Sequence, residues 1–292
     1  MTAEQKFSQL ADSPKWRAAL RLEIARRPAG SRLVTAEHEG PLYIQRPFYP
    51  EGPDCAHLYI LHPPGGIVSG DELSVEVDVG ERSACLLTTP GAGRIYRARN
   101  KQAEQSQRTR LRVAADASAE WFPLETIAFP GANVVLDTTI DLAAGAHCMA
   151  WEITCFGLPA NQLPFDHGRF EQNYRITSED LPVFVDRFVL GDENRELLAA
   201  KAGLQGQPVY GFFLAGPFET VDDQTLLDAL RSDAQAGGYG EEAGVTRVGQ
   251  FILGRYLGGS AERARKCFQL WWTRLRPQLI ERPACVPRIW FT

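Results

Sequence analysis

A chain of 292 residues with 44% hydrophobic and 23% charged residues has the composition of a folded globular protein, which excludes wholesale disorder. Its 31 Lys and Arg against 36 Asp and Glu leave a net charge of −5, which argues against the basic face of a nucleic-acid-binding protein. No run approaches the roughly 20 apolar residues of a membrane helix, and the start, MTAEQKFSQLADSPKW, has no basic segment followed by an apolar signal core. A soluble cytoplasmic protein is expected, with neither nucleic acid nor membrane as partner. The six cysteines, at positions 55, 85, 148, 155, 267 and 285, contain no CxxC pair and read as reduced thiols.

Residues 1–14 are polar and are expected to be loose. One β domain over 15–292 is expected to follow. Trp16, Ala18, Leu20, Leu22 and Ile24 alternate with mostly charged residues, the period of a half-buried strand, and Pro28-Ala29-Gly30 ends it. Short strands are expected at Leu42–Phe48 and Leu58–Leu61, each stopped by proline. Leu73, Val75, Val77 and Val79 alternate with Ser74, Glu76 and Asp78; Cys85–Thr89 and Leu111–Val113 follow. Further strands are predicted at Trp121–Phe122, Thr126–Phe129, Val134–Leu142, Cys148–Phe156, Phe170–Ile176, Val183–Leu190, Val209–Leu214 and Val245–Leu253. Helical period emerges only in the last third. One helix is expected over Asp222–Ala236, capped by Asp222 or Asp223 and ended by Gly237-Gly238. The second is expected over Ser260–Arg276, with Ser260 as N-cap, Glu262 in the first turn and Pro277 helping to stop it. The result is an all-β body with a small helical cap.

The chain lacks GxxxxGK[ST], GxGxxG, HExxH and GxSxG, so the usual nucleotide, dinucleotide, zincin and serine-hydrolase devices are missing. What remains is a set of rigid turns and some carboxylates in apolar strands. In His62-Pro63-Pro64-Gly65-Gly66-Ile67-Val68-Ser69-Gly70-Asp71, prolines and glycines build a stiff bend flanked by His62 and Asp71. It either presents an imidazole and a carboxylate to a metal or partner, or is a structural turn. Thr88–Arg97 is a second Pro/Gly turn, an anion nest or a plain surface turn. Cys55, His57 and His62 lie close in sequence but lack a fourth ligand and zinc spacing, so a buried thiol and two ordinary histidines is the simpler reading. Alternation puts Glu152 on the face opposite Trp151 and Ile153, and Asp186 beside Phe184 and Phe188. A carboxylate on a buried face costs several kcal/mol unless it is paired or binds a cation. The alternatives are an arginine partner for Asp186 and a solvated face for Glu152. The aromatic C-terminus suits either a core or an interface. Trp271 and Trp272 point about 100° apart on a helix, so one is expected to pack inward and the other to stand half exposed.

Taken in order, GPLYIQRPFYPEG (40–52), HPPGGIVSGD (62–71), LTTPGAGRIYR (87–97), EWFPLETIAFPGAN (120–133) and LRPQLIERPACVPRIWFT (275–292) resemble the UreD (UreH) family of urease accessory proteins, over nearly the whole chain from Trp16 onward. The resemblance implies an all-β, right-handed β-helix-like body with two helices in the C-terminal third. It implies a protein that is not an enzyme but binds the urease apoprotein and UreF, and through UreF the GTPase UreG. Together they deliver nickel to the urease active site. A conduit needs weak, exchangeable oxygen and imidazole ligands, so no stably bound cofactor is expected, only nickel in transit. The candidate nickel-path residues are then His62, Asp71, Glu152 and Asp186. Trp271, Trp272 and Trp290 are candidates for partner contact, with the C-terminal helix and tail meeting UreF. Gly93 stands where relatives more often carry Ser or Thr, so a polar group of theirs is absent here. Two other function classes remain. One is a β-helical polysaccharide-active enzyme with Asp71, Asp186 and Arg187 in one cleft, and the other is an interaction scaffold without metal transfer.

Overall fold

The structure is a computed structural model that describes residues 16–99, 103–218 and 223–291, with the side chain of Asp223 left aside. The loose segment expected over 1–14 and the Asp222 cap lie outside the described residues.

In chain order the strands are β1 (Arg17–Arg27), β2 (Gly30–Glu39), β3 (Tyr43–Ile44), β4 (Ala56–Leu61), β5 (Glu72–Val79), β6 (Ala84–Thr88), β7 (Gly93–Ile95), β8 (Gln105–Val113) and β9 (Ser118–Phe122). Then come β10 (Thr126–Ala128), β11 (Asn133–Leu142), β12 (His147–Leu158), β13 (Leu163–Pro164), β14 (Arg169–Ser178), β15 (Leu181–Leu190) and β16 (Val209–Gly216). Helix α1 (Asp223–Ala236), the hairpin β17 (Ala243–Val248) and β18 (Phe251–Gly258), and helix α2 (Ala261–Ile280) complete the chain.

From β4 to β14 the main strands alternate between two sheets. One sheet has the order β15-β14-β11-β8-β5-β1-β2, and the other runs β17-β18-β16-β12-β9-β6-β4-β3. Within each sheet the successive strands of this stretch pair in parallel. Strict alternation suits such a coil, because each strand has one face toward the opposite sheet. Leu73, Val75, Val77 and Val79 are all nearly fully buried, while the residues between them keep partial exposure. The solvent face of this parallel sheet is covered by charge instead of helices. Arg112 bonds Glu76 and Asp78 on the adjacent β5, and Arg110 bonds Asp141 on the adjacent β11.

A first apolar core fills the space between the sheets. A second lies on the outer face of the larger sheet, under α1 and α2. Here Trp151, Phe213, Phe268, Trp271, Trp272 and Trp290 pack in one cluster. Their indole N–H groups find acceptors: Trp151 on Pro123 O, Trp271 on Leu230 O and Trp290 on Thr88 Oγ1. Ser260 caps α2 by accepting from Arg263 N, as expected.

Several expectations are corrected. The edge strand β2 is absent from the sequence reading, since its mostly exposed residues carry little apolar alternation. The single strand expected over Val245–Leu253 is a hairpin that turns at Gly249-Gln250. Helix α2 does not stop before Pro277 but continues to Ile280. Arg276 and Leu279 are buried on the face that carries Trp272 and Leu275, and this packing outweighs the ~3 kcal/mol that an interior proline costs. The half-exposed tryptophan is not found either. Trp271 and Trp272 are both 0% exposed and Trp290 is 5% exposed, so all three belong to the core and offer no partner surface.

Candidate functional site

The two Pro/Gly turns come together in space. Ile67 N donates to Arg94 O at 2.7 Å and Tyr96 N to Ile67 O at 3.0 Å, which pairs the segment after His62 with β7. Gly65 sits at φ +71°, and a side chain on Gly66 would run into the Tyr96 ring, so both glycines are demanded by the junction. β7 pairs in turn with β10, bringing in the segment 120–133. Around this junction a cavity of about 350 Å³ opens between the sheets. Its rim carries His62, Gly65, Pro90, Gly91 and Arg94, and deeper it is lined by Val75, Gln107, Trp121 and Leu136. Gly93 also lines it.

Asp71 does not line that cavity. It is 3% exposed, and its Oδ2 accepts from Val68 N at 2.9 Å, closing its own turn. Burial raises its pKa, opposed by that hydrogen bond and by His62. Burial also lowers the pKa of His62, with Asp71 pulling the other way, so the rim imidazole is disposed to be neutral and able to ligate.

Deeper inside lies a polar seam. On the inner face of the smaller sheet, Thr109, Thr138, Tyr174 and Asp186 stand in one register row across β8, β11, β14 and β15. On the larger sheet, Glu152, Phe212 and Arg255 form another row across β12, β16 and β18. The rows meet through Thr138 at one end and Asp186 at the other. Glu152 Oε1 accepts from Trp121 Nε1 at 2.9 Å, and Thr138 Oγ1 lies 3.5 Å from it. Burial pushes the Glu152 pKa up to about 7, against the pull of these two donors. Among the described residues, the buried Tyr174 hydroxyl has no hydrogen-bond partner, and burial followed by the Glu152 carboxylate raises its pKa. Glu152 thus faces the interior, and the solvated alternative does not hold.

Asp186 faces inward beside Phe184 and Phe188, as alternation required. It has an arginine partner, from the opposite sheet. Arg255 Nη2 donates to Oδ1 at 2.5 Å and Nη1 to Oδ2 at 3.1 Å, while Nη1 also bonds Tyr210 Oη. This pair lines a groove of about 540 Å³ between β15 and the β17–β18 hairpin. Arg187 bonds Glu171 and lines the same groove as Asp186, but Asp71 is not among its residues, so the three do not form the cleft that a polysaccharide-active enzyme would require.

A separate buried network joins Cys55 and His57 to Glu51, Glu120 and Arg276, partners the sequence reading did not give them. Among the described residues, Glu51, Cys55 and His57 bring ligand-type atoms within 4.8 Å of one another. A cation is already there. Arg276, 0% exposed, donates from Nη2 to Glu51 Oε1 at 2.7 Å and to Glu120 Oε2 at 2.8 Å, and Nη2 lies 3.9 Å from Cys55 Sγ. Trp272 Nε1 also donates to Glu120, at 2.6 Å, and His57 Nε2 pairs with Glu51 at 2.8 Å. Burial raises the Glu51 pKa, but the hydrogen bonds from His57 and Arg276 outweigh it and bring it down to about 2. The network fastens α2 to β9 and to the segment before β4; it is a structural ion cluster. His62 is not part of this group. All six cysteines are free.

Thr109, Thr138, Tyr174, Trp121 and Arg255 were the seam residues missed. Parity within each strand marks their inward face, but only strand register brings them side by side.

The sequence profile described as UreD urease accessory protein matches residues 17–291. A protein of Marinomonas sp. (strain MWYL1), named urease accessory protein UreD, is 43% identical over 284 residues, covering 95% of this chain and 90% of the relative. Relatives of the same name from Marinobacter nauticus and Dechloromonas aromatica are 41% and 40% identical, each matched over 100% of both chains.

Proposed function

Because the chain belongs to the UreD urease accessory protein family, an accessory rather than a catalytic family, we propose that it is a cytoplasmic scaffold. It binds the urease apoprotein and UreF, with UreG joining through UreF, and passes Ni²⁺ toward the urease active site as cargo. The observation that carries this reading is the polar seam inside an otherwise apolar inter-sheet core. Glu152 lies there without a cationic partner among its hydrogen bonds, facing Thr138 near the unpartnered Tyr174 hydroxyl. Burying such a carboxylate costs free energy, and a cation in transit would offset that cost. The cavity edged by His62 at one side of the seam and the groove at Asp186 on the other would be its ends. Asp71 supports the His62 turn instead of ligating. A right-handed winding is the sense we propose for the coil, because a crossover from β5 through β6 to the parallel β8 is right-handed in about 98% of such connections.

The test is co-expression with the urease subunits, UreF and UreG, comparing the native chain with Glu152→Gln. Intact complexes with urease nickel content reduced severalfold are expected. Unchanged nickel content would remove Glu152 from the path. A second reading, a scaffold without metal transfer, draws on the Asp186–Arg255 pair, since that carboxylate is already neutralised. Under it, Asp186→Asn weakens folding but leaves nickel content per urease unchanged.

A further inference from the structure

Trp121 lines the cavity at the 62–66 and 89–94 turns, and it also holds Glu152, which is not part of the cavity wall. The indole is 2% exposed and sits between the two. Its register neighbour on β12 is Ala150, a small residue that leaves the ring room beside Glu152. Leu136 lines the cavity from the opposite sheet. An indole N–H is a donor only: it can occupy a carboxylate lone pair but cannot ligate a cation. A divalent ion and this N–H therefore compete for the same oxygen, Glu152 Oε1.

We propose that Trp121 is a positioning residue for cargo transfer: its N–H holds Glu152 Oε1, its ring separates that carboxylate from the mouth cavity, and a divalent cation reaches Glu152 as the indole turns away. This rests on the conduit reading above and adds to it a gate, with release of the carboxylate coupled to opening. No bond is made or broken beyond the hydrogen bond exchanged for a metal–oxygen contact.

The experiment measures the rate at which urease apoprotein acquires nickel from Ni²⁺ and bicarbonate, with the complete set of accessory proteins. Trp121→Phe keeps an aromatic wall and removes the donor. It is expected to speed loading roughly fivefold, the weight of one net hydrogen bond of about 1 kcal/mol. Glu152→Gln slows loading, and the double variant matches Glu152→Gln alone, because Trp121 acts through Glu152. Ser260→Ala, at the α2 cap and outside both the seam and the cavity wall, leaves the rate unchanged. Unchanged or slower loading in Trp121→Phe overturns the proposal. So do multiplying effects in the double variant, or equal acceleration by Ser260→Ala. Native-like loading in Glu152→Gln instead overturns the conduit reading beneath it. One readout needs no change at position 121. Ni²⁺ added to the accessory complex quenches a tryptophan fluorescence component that Glu152→Gln lacks; equal quenching in both overturns the proposal.

Discussion

Arg276 and Glu152 are two interior charges with opposite solutions. Arg276 has two carboxylates, Glu51 and Glu120, and a backbone acceptor at Pro283. Replacing it by methionine would leave two buried carboxylates without their cation. Arg276→Met is expected to cost about 3–5 kcal/mol, read as a lower urea midpoint. Among the described residues Glu152 has only neutral donors, Trp121 and Thr138, so removing its charge works in the opposite direction. A raised carboxylate pKa means that stability is greatest below the unfolded value of 4.5 and is lost as pH climbs through about 7. Glu152→Gln is therefore expected to be the more stable protein at pH 8, by up to a few kcal/mol, with the gap closing toward pH 4.5. Melting temperatures of both proteins across that range are the check. Parity put Asp186 beside Phe184 and Phe188 and Glu152 opposite Trp151 and Ile153, but left open whether the Glu152 face was solvated. The identity of their partners depends on strands far away in the chain, such as β9 and β18.

Among elements, α2 was nearly complete in the sequence. Its stripe of Ala264, Cys267, Phe268, Trp271 and Leu275 is buried as spaced, and Ser260 accepts from Arg263 N at 3.3 Å. Ser260→Ala is expected to lower stability by about 1 kcal/mol, seen in denaturant unfolding. The misread C-terminal end shows why local rules fail there. Proline argues against a helix, but Arg276 and Leu279 bury too much favourable contact for the chain to leave the core. Edge strands were the other weak point: β2 has little to bury, so periodicity carries little signal there. At the far edge, Asp186 and Arg255 tie β15 to β18 across the sheets. Arg255→Met is expected to raise amide exchange in β15 selectively, while β5 and β8 keep their protection.

For the whole molecule, two layers of parallel strands and a helical cap divide the tasks. The cap core is apolar and aromatic around the Glu51–Glu120–Arg276 cluster, while the inter-sheet core carries the polar seam. Glu51 sets the acid limb of stability. Its pKa is held at about 2, so its contribution is present above pH 4.5 and is lost as pH falls toward 2. The acid limb should persist in Glu152→Gln, whereas the loss between pH 4.5 and 7 should flatten. A stability profile in which both limbs change together would show that the two carboxylates are not independent.

Composition and alternation were enough to read a strand-rich body with two C-terminal helices, and five ordered motifs were enough to indicate the family. Both are local properties: period two follows from the pleat, and a motif is a run of neighbours. The junction of the 62–66 and 89–94 turns, the seam of Thr138, Tyr174 and Glu152, and the burial of every C-terminal tryptophan could not be read that way. They depend on register between strands dozens of residues apart and on which face of α2 meets the larger sheet. Those choices come from the simultaneous packing of two sheets and a helical layer, where burial and charge pairing are settled for the whole chain at once.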